Sequence, residues 1–420
     1  MVYKDTMTFI KLLRYSLSLE DYKFFHNEVN NINWIQMFEY AYRNNLVTLL
    51  YPVIKKIFEK HNISNDLLYI WKKISIRDSI YEQRKHYALR ELLMNAEKDH
   101  VDFIVLKGFI LADLYPKYQQ RTSCDTDLYI NKHQKDKAVN ILDKLGYRLS
   151  EKSKDEVGVY INEFHNHTIE MHTCLWEDYS GPKISILESL NITDTKSLIK
   201  LNVCGINVIS LGYTEHLIFQ LFHIIKHFSL ECVTIRYLID ITLYVNKYFD
   251  FIQLDLLWSG LKKMGYDVFC LAIFRLCIKY FDMNSDIVIS DIKLSDDKLN
   301  VLLNEFITNS QLFKEKKGKW ELMGDMIPYF IGEKQGYEKE AKIIMRLFPT
   351  QDRLLDKYRL GKTHKILLPL SWIHRMFDLI IAERTTKIGE YTHYERALAV
   401  NHKLKIMESF GLLNEENNNA

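Results

Sequence analysis

Proline and glycine are scarce in this chain, at six and fifteen of 420 residues. So few turn formers argue against an architecture of many tight β-hairpins and favour long helices. Neither charge sign dominates. Lys and Arg number 56 against 54 Asp and Glu, a formal net charge of +2, which does not suit a general nucleic-acid binder. The six cysteines show no CxxC and no Cys/His finger spacing. They read as scattered, reduced thiols with no structural zinc. Long apolar runs are missing as well. The stretch "MVYKDTMTFIKLLRYSLSLEDYK" lacks the uninterrupted apolar core of a signal peptide. "ILLPLSWIHRMFDLIIA" is interrupted by Pro369, His374, Arg375 and Asp378, so it makes a poor membrane span. No membrane association is expected, and the cytoplasm is the expected location.

What is present is globular: 47% hydrophobic and 26% charged residues, enough for a sizeable core and too little charge for wholesale disorder. The length predicts two or three packed units. Residues 1–100 read as helical. "NWIQMFEYAYRNNLVTLLYPVIKKIFEKH" has apolar residues at helical spacing with a break or kink expected at Pro52, and "YEQRKHYALRELLMNAEKDH" is amphipathic. The period then changes. "VDFIVLKG" is a β-branched run ending at Gly108, a buried strand followed by a tight turn. "FILADLY" is a short helix closed by Pro116, and "DTDLYI" is a second strand. "NKHQKDKAVNILDKLGY" is a helix with Ala138, Ile141, Leu142 and Leu145 on one face and Gly146 just past its end. "VGVYIN" and "HTIEMHTCLW" alternate like strands. An α/β core is therefore expected within residues 101–209. Residues 210–310 return to a helical pattern in "YTEHLIFQLFHIIKHFS", "CVTIRYLIDITLYVNKYF" and "LDLLWSGLKKMGYDVFCLAIFRLCIKYF". Residues 311–420 read as a mostly helical, net basic region with a fraying "NEENNNA" end.

The chemistry concentrates in "RTSCDTDLYI". Asp125 and Asp127 lie two apart, so on a strand they share a face at roughly 6–7 Å. Carboxylates that close repel, and at least one pKa rises unless a cation sits between them. A D-x-D spacing is weak evidence alone; Glu338 and Glu340 repeat it on what reads as a solvated helical face. Context strengthens Asp125 and Asp127. Upstream, Lys107-Gly108 sits at a strand-to-helix turn, where a glycine lets backbone N–H groups approach a phosphate. Downstream, "TIEMHT" places Glu170 on an alternating strand. Two aspartates and a third carboxylate on a neighbouring strand suit divalent cations that activate a hydroxyl and stabilise a leaving pyrophosphate.

These residues resemble the nucleotidyltransferase (DNA polymerase β-like) superfamily and, more narrowly, its bacterial group labelled uncharacterised nucleotidyltransferase. The group's pattern is L-K-G-x-x-L-A-x-x-Y-P, then R-x-x-x-D-x-D-L, a helix ending L-x-x-x-G-Y, and an E-x-H strand. Here it stands as Leu106 to Ala112, Tyr115-Pro116, Arg121, Asp125 to Leu128, Leu142 to Tyr147, and Glu170-Met171-His172. Weaker similarity extends to the helices before the core, to "FHIIKHF…RYLIDI", and to "LFPTQDRLLDKYR…LLPLSWIHRMF". One departure follows Gly108, where better-known superfamily members carry Gly-Ser or Gly-Gly and this chain has Phe109. Lys107 would then supply the positive charge.

Other residues carry plainer readings beside functional ones. Arg121 either clamps phosphate or neutralises the two aspartates when no metal is bound. His172 shares the face of Glu170 and either orients that carboxylate, touches the nucleotide or is simply a hydrogen-bonded histidine. Thr122 and Ser123 read as loop caps. His216, Gln220, His223 and His227 form one polar stripe on an apolar helix. The stripe should face a wet cleft or an internal polar network, and the resemblance places it along the nucleotide or acceptor pocket. Arg236 and Asp240 read as an i,i+4 ion pair, and "KEKKGK" as a solvated basic face.

The expected fold class is α+β, a small mixed-sheet nucleotidyltransferase core embedded between helical N- and C-terminal regions. The resemblance implies NMP transfer, with AMP favoured, from an NTP to a hydroxyl-bearing acceptor that is a protein, an RNA end or a small molecule. Asp125, Asp127 and Glu170 would bind Mg²⁺, with Mn²⁺ as an alternative. Lys107, Gly108, Arg121, His172, His223 and His227 would contact the nucleotide. Two other classes remain open: a catalytically inactive nucleotide- or partner-binding protein of the same fold, and a phosphocholine-type transferase.

Overall fold

Four helices precede the first strand in the computed structural model, which describes residues 2–17, 29–61, 63, 65–150, 157–175, 197–230, 233–308 and 402–412. They are α1 (Val2–Ser16), α2 (Trp34–Arg43), α3 (Val47–His61) and α4 (Asn65–Lys98). The break expected at Pro52 falls elsewhere: α3 runs through Pro52, and the chain turns at Asn44–Asn45 instead. Asn45 takes a left-handed φ of 56°, a conformation asparagine tolerates. The buried Asn44 amide donates to the carbonyls of Tyr40 and Ile307 and locks the turn from inside. The amphipathic segment expected near residue 81 is the C-terminal part of the 34-residue α4.

The core follows as β1 (Ile104–Val105), α5 (Gly108–Ala112), β2 (Thr126–Tyr129), α6 (Lys135–Lys144), β3 (Arg148–Leu149), β4 (Val157–Asn162), β5 (His167–His172), β6 (Ile199–Val203) and β7 (Ile206–Ser210). All seven strands join one mixed sheet in the order β3-β4-β5-β2-β1-β7-β6. β2 runs parallel to β5 with Asp127 opposite Glu170, and antiparallel to β1. As the sequence pattern requires, α6 ends with Gly146 at a left-handed φ of 79°.

The β6–β7 hairpin was legible in "IKLNVCGINVIS" but not anticipated. Cys204 and Gly205 both have positive φ, the combination a tight two-residue hairpin turn needs. The hairpin adds a parallel neighbour to β1 and widens the sheet beyond the expected core strands.

Strand alternation separates two faces. Leu128, Ile130, Ile169 and Met171 join a buried cluster with Leu89 and Leu92 of α4 and Ile141 and Leu142 of α6. Asp127, Glu170 and His172 occupy the other positions of the same strands.

After the sheet come α7 (Tyr213–Leu230), α8 (Arg236–Tyr248), α9 (Leu254–Lys263), α10 (Asp267–Phe281) and α11 (Asp296–Thr308). The single long segment expected over 254–281 is two helices, because Gly265 takes a φ of 66° between them. The chain divides into two compact units, Met1–Lys317 and Gly318–Ala420. In the second unit a helix covers 402–409. The expectations for "KEKKGK", Glu338 and Glu340, "LFPTQDRLLDKYR" and "ILLPLSWIHRMFDLIIA" lie outside the described residues. Among the described residues, no helix is long and apolar enough to cross a membrane. Cys124, Cys174, Cys204, Cys270 and Cys277 are free thiols.

Candidate functional site

The polar face of β2 and β5 opens into a cavity of about 560 Å³ whose walls include α7 and α8. Lys107, Gly108, Arg121, Asp125, Asp127, Glu170, His172, His223 and His227 all line it. One donor atom from each of Asp127, Glu170 and His172 lies within 4.8 Å of the others. His172 Nε2 is 3.3 Å from Asp127 Oδ1 and 3.9 Å from Glu170 Oε2. Of the three carboxylates expected to hold metal, Asp125 lies outside this close trio, and His172 takes its place.

The trio is in register because backbone bonding sets Asp127 opposite Glu170 across two parallel strands. A spacing of two on β5 then puts His172 on the face of Glu170. Asp127 is almost fully buried, with 6% exposure. Burial pushes its carboxyl up, but the Lys107 charge and the His172 hydrogen bond outweigh this and hold it well below the usual carboxylate range. Burial raises Asp125, and Asp127 adds to the rise. Burial likewise raises Glu170, helped by Asp127 and Asp125. The site therefore holds one strongly acidic carboxyl beside two that keep their protons more readily.

Lys107 is the cation paired with Asp127. Its Nζ lies 3.0 Å from Asp127 Oδ1 and 3.1 Å from His223 Nδ1. Burial, then the Lys107 and His227 charges, hold His223 well below the ordinary histidine value, so a neutral ring nitrogen accepts from the ammonium. Lys107 N–H donates to His216 Nε2 at 3.1 Å. Burial, then Lys107 and Arg121, push His216 down to about 3. The polar stripe on α7 thus runs from an internal partner at His216 to cavity-lining positions at Gln220, His223 and His227.

The strand-to-helix turn differs from expectation in a specific way. Lys107 itself takes the positive φ, 33°, a conformation L side chains adopt only under constraint. Gly108 opens α5, and its missing side chain also leaves room for Arg121. A Cβ there would lie 3.2 Å from Arg121 Nη1, and that guanidinium donates to Gly108 O at 3.1 Å.

Arg121 neutralises neither aspartate of the D-x-D pair. Its Nε and Nη2 reach Asp240 Oδ1 and Oδ2, each at 2.8 Å, and Tyr115 OH donates to the same carboxylate at 2.9 Å. The Arg236–Asp240 ion pair expected along the helix is thereby replaced: Asp240 is taken by Arg121, and Arg236 donates to Thr122 O. A bidentate fork from a neighbouring element is the stronger geometry.

Sequence reasoning also missed what braces the loop ahead of Asp125. Lys85 of α4 donates to Ser123 O and Oγ, Glu82 accepts from Ser123 N–H at 2.8 Å, and Thr122 Oγ1 donates to Asn45 O. One signal was available. Lys85 falls at helical spacing with Ala88, Leu89 and Leu92, so it occupies a core position of α4, where only a paired lysine is stable.

Two solved structures are similar over part of the chain. The antibiotic-resistance factor ANT(2'')-Ia is 11% identical with a TM-score of 0.33, covering 46% of this chain and 98% of that one. An antigenic nucleotidyltransferase-like protein from Paracoccidioides brasiliensis is 14% identical with a TM-score of 0.29, covering 51% and 98%. No curated protein matches the chain. The family model described as uncharacterised nucleotidyltransferase matches residues 30–282, a stretch that contains every site residue named above. More than half of the sequence is matched, and the chain belongs to that family.

Proposed function

We propose that this cavity transfers an NMP unit, AMP in the favoured case, from an NTP to an acceptor hydroxyl, and that it does so in the cytoplasm. The observation that carries the reading is the in-register pairing of Asp127 with Glu170 on the floor of a cavity that also holds Lys107. The donor set fits a divalent cation. Two carboxylates suit Mg²⁺, and the imidazole of His172 beside them suits Mn²⁺ as well. Asp127 and Glu170 would hold the ion, with Asp125 reaching it from the same cavity. Once bound, such an ion neutralises charge on the phosphates.

The protein groups take the remaining roles. Lys107 moves from Asp127 to the triphosphate as the nucleotide enters. His172, His223 and His227 line the nucleotide side. Glu170, with a carboxyl raised above its ordinary value by burial, accepts the acceptor's proton. The acceptor oxygen bonds to the α-phosphorus, the bond from that phosphorus to the bridging oxygen breaks, and pyrophosphate leaves. Arg121 acts at one remove, fixing Gly108 through its carbonyl.

Calorimetric titration of ATP, GTP, CTP and UTP, with and without Mg²⁺, tests the reading on wild type and on Asp125→Asn/Asp127→Asn. Metal-dependent binding of one NTP, lost in the double variant, is expected. Failure of all four to bind with metal present would end the transferase reading.

One observation favours a second reading, a nucleotidyltransferase fold kept as an inactive partner-binding protein. Lys107 already neutralises Asp127 at 3.0 Å, as a lysine replacing a lost cation would. In that case Asp127→Asn leaves partner binding intact and no NTP binds.

A further inference from the structure

A second cleft of about 510 Å³ lies beside the catalytic cavity. Asn45, Ser123 and Cys124 line both, so the braced loop ahead of Asp125 forms a shared wall. Asp125, the next residue, lines the first cavity alone. Adjoining chambers suit a two-substrate site, because each substrate is held independently before the reacting atoms approach.

The other walls of the cleft come mainly from α2 and α4. Phe38 stacks on Tyr42 with ring centres 6.0 Å apart and planes 21° apart. Tyr42 and Tyr81 are 52% and 37% exposed, so both can offer ring surface to a ligand. Charges of both signs accompany the rings. Glu39 and Asp78 stand against Arg43 and Arg77, Arg77 is already paired with Asp78 at 2.8 Å, and Glu82 is bonded to Lys85 and Ser123. A phosphate backbone needs a positive groove, which this lining does not provide. The volume suits a small molecule, whereas a folded protein partner needs far more contact area than a cleft of this kind supplies. Aromatic planes receive the apolar face of a ring, while carboxylates and guanidinium forks bond hydroxyl groups around its edge.

We propose that this cleft is the acceptor chamber and that it takes an uncharged, polyhydroxylated ring compound, a sugar-like alcohol. The direction of the chemistry rests on the transferase reading above; binding in the cleft does not. In the transfer, one ring hydroxyl passes Cys124, its oxygen bonds to the α-phosphorus, its proton goes to Glu170, and pyrophosphate departs with the bridging oxygen.

Cys124 is exposed and serves as a reporter. The test is the rate of Cys124 alkylation by N-ethylmaleimide in the full chain, read by peptide mapping. The probes are a panel of neutral mono- and disaccharides, a short single-stranded RNA and a serine- and tyrosine-containing peptide. A sugar of the fitting shape should slow alkylation about threefold when present at twice its Kd, since protection follows 1 + [L]/Kd. Tyr42→Ala/Tyr81→Ala should lose that protection while ATP–Mg²⁺ affinity stays unchanged. Tyr81→Leu, which keeps bulk but removes the ring plane, is the fallback should the double variant fail to fold. Absence of protection by every sugar, protection by RNA or peptide alone, or undiminished protection in the variants overturns the proposal. Loss of ATP affinity in the variants would assign the cleft to the donor and overturn it as well. Sugar protection that persists with no NTP binding would sink the transferase reading while leaving this chamber standing.

Discussion

Arg121 and Asp240 form a two-pronged ion pair whose members are 119 residues apart in sequence and 5% and 3% exposed. Through it, the loop carrying Asp125 is tied to α8, and Gly108 is held from the same guanidinium. Removing Asp240 strands a buried positive charge, which costs about 3–5 kcal/mol. Asp240→Ala should lower the urea midpoint accordingly, while Arg121→Met/Asp240→Leu should recover most of the loss. An unchanged midpoint for Asp240→Ala would mean that the pair does not brace the loop.

Gly108→Ala introduces a methyl 3.2 Å from Arg121 Nη1. Because Asp240 pins that guanidinium, it cannot yield, and a penalty of about 1–3 kcal/mol is expected. The penalty should shrink in an Arg121→Met background, since the two sites share one contact. A thermodynamic cycle on the four proteins measures it, and additive costs would refute the crowding.

Glu170→Gln removes the proposed proton acceptor but keeps the shape and an amide oxygen that can still ligate the ion. NTP binding should persist, while turnover on a suitable acceptor falls by roughly 10²–10⁴-fold, the usual scale for general-base loss. Parallel calorimetry and pyrophosphate release would separate these effects. Full activity in this variant would place the base elsewhere.

His167 supplies a pH signature away from the carboxylates. It is fully buried between Thr126 Oγ1 at 2.8 Å and Tyr147 OH at 2.7 Å, and burial pushes it down to about 3 from 6.5. The folded state holds this ring neutral while the unfolded chain protonates it. Its contribution is therefore complete above about pH 6.5 and is lost as pH falls from there toward 3, by up to about 1.4 kcal/mol per pH unit. Urea midpoints from pH 7 to 4 should show that slope in wild type and a shallower one in His167→Gln. Equal slopes would place the acid sensitivity elsewhere.

Local spacing made part of this molecule readable in advance. The turn after α6 followed from Gly146, and Glu170 and His172 on one face of β5 followed from their spacing of two. Contacts between distant segments were not readable. Asp240 offered itself to Arg236 one helical turn away, and only tertiary packing reveals that Arg121 reaches it first. Likewise the place of His172 beside Asp127 depends on which strand lies next to β2, a matter of topology. The exchange of roles at Lys107-Gly108, with the lysine strained and the glycine making room for a guanidinium, has no counterpart in any local pattern.

The pairing of Asp127 with Glu170 is written in main-chain hydrogen bonds, and this has a consequence for how the sheet assembles. Sliding β5 by one residue along β2 would present Ile169 or Met171 to the cavity and drive Glu170 and His172 into the hydrocarbon beneath. The misaligned sheet would strand charge where no solvent reaches, so it could not persist. The carboxylates assigned the chemistry in the proposed function therefore also act as an alignment mark, rejecting the wrong strand register during folding.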